Sequence, residues 1–434
     1  MTQAQSGSFV PVSGTERVSI VDILRGFALL GILAINIDFF ALPSSIMFAP
    51  SLAGGFTGLD LLTWKVDSML FFEKMMAIFS MLFGGGLILM MERAEKAGRK
   101  LGGIYYRRLF WLLLFGLIHA YFFWYGDILV SYAICGLVIF LFRKRGVKTL
   151  IILGIVVLLL GAGIQAGGGF GMGQLRKYAA IFEEKQEAGE TLTTGETEML
   201  GQWNEMKSFM RPDEETIAKD IAAYQGSLAQ VHEKRVEESL MMHLQALPFM
   251  MFWRILGLML LGMALMKSGF FKGEKSNKTY IAWIIAGYGI GLPVVYLGME
   301  TIAASGFDFI ARMKVGGHYN YFGSILVALA HASTIILLYK SRILMGFLKR
   351  LEAVGRMALS NYFLDTLICT TIFFGGLGFG LFGTMNRFSL AGIVVVIWIL
   401  QLIVSPIWLK HFRFGPFEWC WRSLTYWNRQ PMKR

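Results

Sequence analysis

Asp22 and Arg25 stand three residues apart in the run Val21-Asp22-Ile23-Leu24-Arg25-Gly26-Phe27, and Asn36 follows eleven residues after the arginine. At about 3.6 residues per turn, a helix through this run puts the acid and the base on one face. It also returns the amide to nearly the same azimuth about 16 Å further along the axis. The stripe combines a charge pair with an amide able to donate to a developing oxyanion. His119 and Asp127 form a second constellation, since an imidazole suits proton transfer near neutral pH and a carboxylate can orient it. Glu73, next to Lys74, offers another carboxylate for the same task, and Arg107-Arg108 supply guanidinium forks of the geometry that suits phosphate. The same residues also fit plainer roles: a helix-end anchor, a packing amide, a hydrogen-bonded core histidine.

Other polar groups fall inside apolar runs. Arg254, His331, Asn361 and Asp365 are each flanked by apolar or small residues. A packed, neutral imidazole is the leading reading for His331, while Asp365 calls for a partner such as an arginine across the bundle. No Walker sequence, Rossmann fingerprint or HExxH occurs, and Cys135, Cys369 and Cys420 show no metal-site spacing. No metal is therefore expected, and ATP-driven or nicotinamide chemistry has no support.

The elements that carry these groups are membrane helices. Among the 434 residues 55% are apolar and only 16% charged, well below the roughly one-quarter charge of soluble domains. Apolar runs such as Leu390–Leu409 reach the length of about 20 residues that a bilayer core requires. Ten spans fit: 21–42, 68–91, 109–125, 128–142, 149–169, 247–266, 280–299, 320–340, 358–377 and 389–409. The third and fourth are short and fit either a tight antiparallel hairpin or one irregular element. The first is read as a membrane helix rather than a cleavable leader.

Segments 92–108, 143–148, 267–279, 340–357 and the tail after Leu409 each carry four to six Lys or Arg, whereas the alternating short segments carry none to two. The positive-inside rule then predicts both termini in the cytoplasm, and a multi-pass protein of the bacterial inner membrane. The net charge of +12 is thus assigned to topology-setting loops, and no nucleic-acid partner is expected. The fold class read from this pattern is all-α, a polytopic membrane helix bundle of about ten transmembrane helices. It divides into an N-terminal bundle over 1–170, an outer-side amphipathic helical insert over 171–246 with a break at Arg211-Pro212-Asp213, and a C-terminal membrane region over 247–434. Gly84-Gly85-Gly86 and the Gly375–Gly380 run suit close helix packing. Small-residue faces are compatible with a homodimer.

The run from Asp22 through Ile32 to Asn36, Leu82-Phe83-Gly84-Gly85-Gly86, and His119 through Gly126-Asp127-Ile128-Leu129 resemble the bacterial YeiB-like family. Gly355-Arg356-Met357-Ala358-Leu359-Ser360-Asn361-Tyr362, the Gly375–Gly380 run, and Phe414-Gly415-Pro416-Phe417-Glu418-Trp419 extend the likeness, with a DUF418 region covering the C-terminal half. The opening helix is similar to that of membrane acyltransferases, including heparan-glucosaminide acetyltransferase and O-antigen acyltransferases. In the O-acyltransferases a histidine stands at the position of Asn36. The heparan-type enzymes have Asn there and a working histidine in the first outer loop. This sequence has no histidine in 37–118, a departure from both.

The resemblance implies acetyl-CoA or another acyl-CoA as cytoplasmic donor and an acceptor at the outer side. Arg25, Arg107 and Arg108 would meet the donor's phosphates, with Asp22 beside Arg25 in the donor-binding site. His119 would remove the acceptor's proton, Asn36 would donate to the oxyanion, and Asp127 or Glu73 would hold the histidine. A small-molecule or lipid transporter and a non-catalytic scaffold are the alternatives, and membrane lipid is a partner under each.

Overall fold

The computed structural model describes residues 18–434. The polar start expected before the first helix lies outside them. The fold is all-α and polytopic. α1 (Ser19–Ala41) is followed by short turns over 44–52, then by α2 (Gly58–Leu70) and α3 (Lys74–Lys96). α4 (Gly102–Phe122) and α5 (Leu129–Phe142) pack on each other as a hairpin, the first of the two expected forms. α6 (Val147–Glu187), α7 (Thr194–Met210), α8 (Glu214–Gln225) and α9 (Leu228–Met241) come next, and a π-helical stretch, Met242–Met251, joins α9 to α10 (Phe252–Lys267). α11 (Asn277–Ala286) passes through a second π turn, Gly287–Gly291, into α12 (Leu292–Ala304). A third, Arg312–Gly316, links the short α13 (Phe309–Ala311) to α14 (Gly317–Lys340). α15 (Met345–Arg356), α16 (Ala358–Phe373), α17 (Arg387–His411) and α18 (Pro416–Tyr426) complete the chain.

Each expected span falls on helix, and among the described residues seven helical stretches are long and apolar enough to cross a membrane. Two boundaries differ from expectation. The span placed at 68–91 is broken: α2 stops at Leu70, and α3 restarts at Lys74 after Glu73, whose φ is +65°. The insert expected from 171 does not begin a separate helix, because α6 runs unbroken for 41 residues through its first part, to Glu187. At 1.5 Å per residue that is about 60 Å, roughly twice the hydrocarbon core, so α6 projects beyond the membrane as a mast. α7 packs along that mast. The break at 211–213 does occur, with Asp213 capping α8 through Thr216 N at 2.8 Å.

The core of the bundle is α3 on α10 and α1 on α15. Gly84 and Gly262 make the first contact possible: a Cβ on Gly84 would sit 2.0 Å from the Met259 carbonyl oxygen, and one on Gly262 1.9 Å from that of Met81. Gly355 does the same for the second, where a Cβ would meet the Asp22 carbonyl oxygen at 1.9 Å. Close approach of small residues supplies helix association where no water-driven term exists between apolar faces. It also fixes how α1 is turned, and hence where its polar stripe points.

Candidate active site

The polar stripe of α1 faces inward. Asp22, Arg25, Asn36 and Asp38 all line a cavity of about 1750 Å³ that follows the helix from one end to the other. A single drug-sized site occupies about 300–1,000 Å³, so this space admits two reactants or one extended molecule.

At the end that carries the Lys/Arg-rich loops, the mouth is lined by Arg25, Arg93, Arg99, Arg108, Arg356 and Arg422. Arg25 pairs with Asp22 at 2.8 Å. Arg108 lies 3.8 Å over the Trp421 ring. Trp421 and Arg422 come from α18, whose placement depends on Glu418. The Glu418 carboxylate accepts from Leu359 N at 2.6 Å, Ser360 N at 3.1 Å and the Ser360 hydroxyl, tying α18 to the start of α16. Burial raises the Glu418 carboxyl above the ordinary glutamate range, against the opposing pull of those hydrogen bonds. Arg107, also expected at this mouth, points elsewhere: it does not line the cavity. Adjacent residues on a helix diverge by about 100°, so only one of the pair can face inward.

At the other end two charged groups line the wall. In the first, Arg387 Nε donates to Asp38 Oδ2 at 3.0 Å and Arg387 Nη1 to the Gly55 carbonyl at 2.6 Å. Asp67 stands within electrostatic reach of both Asp38 and Arg387. Its carboxylate lines the cavity with no hydrogen bond or ion pair among the described residues. In the second, Glu73 Oε2 accepts from Asn320 Nδ2 at 2.8 Å and pairs with Arg254 at 3.2 Å, while Lys74 Nζ donates to Asn320 Oδ1 at 2.6 Å and to the Ser68 carbonyl at 2.7 Å. Glu73 therefore does not hold His119; its strained backbone turns it toward α10 and α14. Above both groups, α7 contributes Gln202, Glu205, Met206 and Phe209, and α9 contributes Glu237, Leu240 and Met241. The insert is thus part of the cavity wall.

His119 and Asp127 do come together, with His119 Nδ1 3.0 Å from Asp127 Oδ1, but the pair is sealed off. Both side chains are 0% exposed. His119 Nε2 lies 2.9 Å from Thr366 Oγ1, and Val130 N donates to Asp127 Oδ2 at 2.8 Å. Although the Asp127 segment borders the cavity, its carboxylate does not open into it. The zero side-chain exposure decides the matter, because a lining residue can contribute backbone alone. As placed here, the expected base touches no space a substrate could occupy.

Two further expectations resolve differently from one another. Among the described residues Asp365 pairs with no arginine; it accepts from Gln401 Nε2 at 2.6 Å. His331 is held by the Tyr288 hydroxyl at 2.8 Å and the Leu70 carbonyl at 3.1 Å, as the packed reading required. Asn36 lines the cavity with its amide unengaged among the described residues. Asp38, Asp67, Arg312, Asn320, Arg387, Trp421 and Arg422 were missed. Asp67 carried a weak signal as a carboxylate at a span edge, and the others sit in segments that read as loops or helix ends.

Residues 265–428 match the family model described as "Protein of unknown function (DUF418)". The chain is 31% identical to the uncharacterized protein YxaH of Bacillus subtilis (strain 168), over 98% of each chain. It is 30% identical to the uncharacterized protein YeiB of Escherichia coli (strain K12), over 94% of this chain and 96% of that one. A 39.9 kDa protein in the amylase 3′ region of Bacillus acidopullulyticus is 27% identical over 97% of each. No solved structure matches this chain. Near-complete alignment with YxaH and YeiB and the matched C-terminal region lead to one conclusion: the chain belongs to the YeiB-like, DUF418-containing family of membrane proteins.

Proposed function

We propose that this protein is a membrane acyltransferase that takes an acyl group from acyl-CoA on the cytoplasmic side and passes it to an acceptor on the outer side of the bacterial inner membrane. The observation that carries this reading is the single cavity joining an arginine-lined mouth at the basic end to a carboxylate-bearing chamber at the other. The positive-inside rule makes the basic end cytoplasmic. Guanidinium forks there suit the phosphates of coenzyme A, and the pantetheine arm follows α1 inward past Leu29 and Ile32 to bring the thioester beside Asn36.

The chemistry then belongs to groups that face the cavity. The Asp67 carboxylate, which lines the cavity without a hydrogen bond or ion pair among the described residues, takes the proton of the acceptor hydroxyl or amine as that atom attacks the thioester carbonyl. The Asn36 amide donates to the oxyanion, and the thiolate of coenzyme A leaves toward the cytoplasm with the acyl group now on the acceptor. Arg387 fixes Asp38 and so keeps one of the two neighbouring carboxylates paired. Purified protein is tested for saturable acyl-CoA binding and for thioester cleavage that depends on Asp67. Absence of both rejects the assignment.

One observation favours a second reading, a small-molecule or lipid transporter. Among the described residues three helical stretches carry π turns, at 242–251, 287–291 and 312–316, and such irregularities mark helices that bend. Flux into sealed vesicles without acyl-CoA would select it.

A further inference from the structure

In the chamber at the end opposite the arginine mouth, the corner around Glu73 holds more positive charge than its one carboxylate neutralises. Lys74, Arg254 and Arg312 gather around the single carboxylate of Glu73: Arg254 pairs with it at 3.2 Å, and Lys74 and Arg312 lie within its electrostatic reach. Three cations thus face one carboxylate in this corner, while Glu205 and Glu237 line the wall above it. Lys74 is 0% exposed and Arg254 3% exposed. Arg254 Nη1 donates to the Tyr321 carbonyl and Nη2 to the Ser324 hydroxyl, but its Nε, equally buried, has no acceptor among the described residues.

Buried charge of one sign is costly without a counter-charge, more so at hydrocarbon depth. The chain also accepts strain to assemble this corner, since Glu73 holds a left-handed backbone (φ +65°) that disfavours a residue with a Cβ. Arg254, Arg312, Asn320 and Glu73 all line the cavity, so a bound group could supply the missing negative charge. We infer that the chamber is an anion-binding site for a carboxylate or phosphate group, with Arg254 and Arg312 as its donors and Glu73 as an internal competitor. Under the acyl-transfer reading this makes the acceptor an acidic molecule. The site itself does not depend on that reading.

The anion can arrive on a lipid headgroup or free in solution. The wall above the chamber carries Met47, Phe48, Met206, Phe209, Leu240 and Met241 beside the polar Gln202, Glu205 and Glu237, and its apolar part would receive a lipid tail. Titration calorimetry on the full chain in neutral detergent separates the sources, with inorganic phosphate as one probe and short-chain phosphatidylglycerol as the other. Both are run in the Arg108→Gln background, which weakens the opposite mouth. The expected result is saturable binding of at least one probe, weakened about tenfold or more by Arg312→Gln in protein that melts as the parent does. Lipid binding alone assigns a headgroup, and phosphate binding assigns a free anion. Glu73→Gln gives an independent arm: removing the competing carboxylate should tighten binding by roughly tenfold. No saturable binding of either probe, or affinities that both substitutions leave unchanged, overturns the inference. Acyl-CoA binding at the arginine mouth is read separately, so failure here leaves the proposed activity standing.

Discussion

The Arg108 guanidinium lies 3.8 Å from the centre of the Trp421 ring, and the Trp421 indole N–H donates to the Arg108 carbonyl at 2.9 Å. Residues far apart in sequence are thus locked by a cation–π contact and a hydrogen bond, and the lock sets one side of the arginine mouth. A guanidinium held this way keeps its edge donors free for an incoming phosphate. Arg108→Gln and Arg422→Gln should each weaken coenzyme A binding about tenfold or more. Arg107→Gln, which alters a side chain off the cavity, should leave it within about twofold. Equilibrium binding of coenzyme A to the three purified variants checks the contrast.

The Asp67 carboxylate lines the cavity with no hydrogen bond or ion pair among the described residues, whereas its neighbours Asp38 and Glu73 have theirs. Asp67→Asn should reduce acyl transfer by about 10²–10⁴, the range for loss of a positioned base, while coenzyme A binding persists. Asp38→Asn should act mainly through Arg387 and destabilise the loop at Gly54–Gly55. Single-turnover rates with binding measured in parallel separate the two.

Asn36 predicts a different signature. Its amide faces the cavity from the α1 stripe, and its proposed role is confined to the transition state. Asn36→Ala should lower the turnover rate by about 10²–10³ with little change in donor affinity. A loss confined to affinity would place the amide in ground-state binding instead.

The sealed His119–Asp127 pair makes a stability prediction. His119→Ala leaves a buried carboxylate without its ring donor and opens a void. Stability should fall by about 1–3 kcal/mol or more, with turnover lost only in proportion to unfolded protein. Thermal melting in detergent, set against specific activity of the folded fraction, distinguishes this from a catalytic loss.

Glu418 links pH to the mouth. Its carboxyl is raised by burial, so folding favours the protonated form. Stability should therefore decline as pH rises from the ordinary glutamate range toward the raised value. Glu418→Gln, which mimics the neutral acid, should flatten that decline: its carbonyl can accept from Leu359 and Ser360 N–H while its amide donates to the Ser360 hydroxyl. Glu418→Ala strands those donors and should lower the melting temperature at every pH.

Some of this architecture was legible in the sequence for identifiable reasons. Helices in a membrane satisfy their own backbone, so apolar length alone located the spans, and the 3.6-residue period alone put Asp22, Arg25 and Asn36 on one stripe. The partners were not legible. His119 and Thr366 are 247 residues apart, and whether an imidazole opens to a cavity or closes against a neighbouring helix depends on packing. The choice between Arg107 and Arg108 turned on helix rotation, fixed by contacts as distant as Trp421. The carboxylate of Glu73 was noticed as a charge at membrane depth, but its left-handed backbone at the α2–α3 break, which turns it to Arg254, leaves no periodic signature.

A density map of the purified protein with added coenzyme A tests the continuous passage most directly. The account predicts the phosphates among Arg108, Arg422 and Arg25, with the pantetheine arm running along α1 and its sulfur near Asn36. Coenzyme A bound elsewhere on the surface, or a passage closed by packed side chains between Arg25 and Asn36, would contradict it.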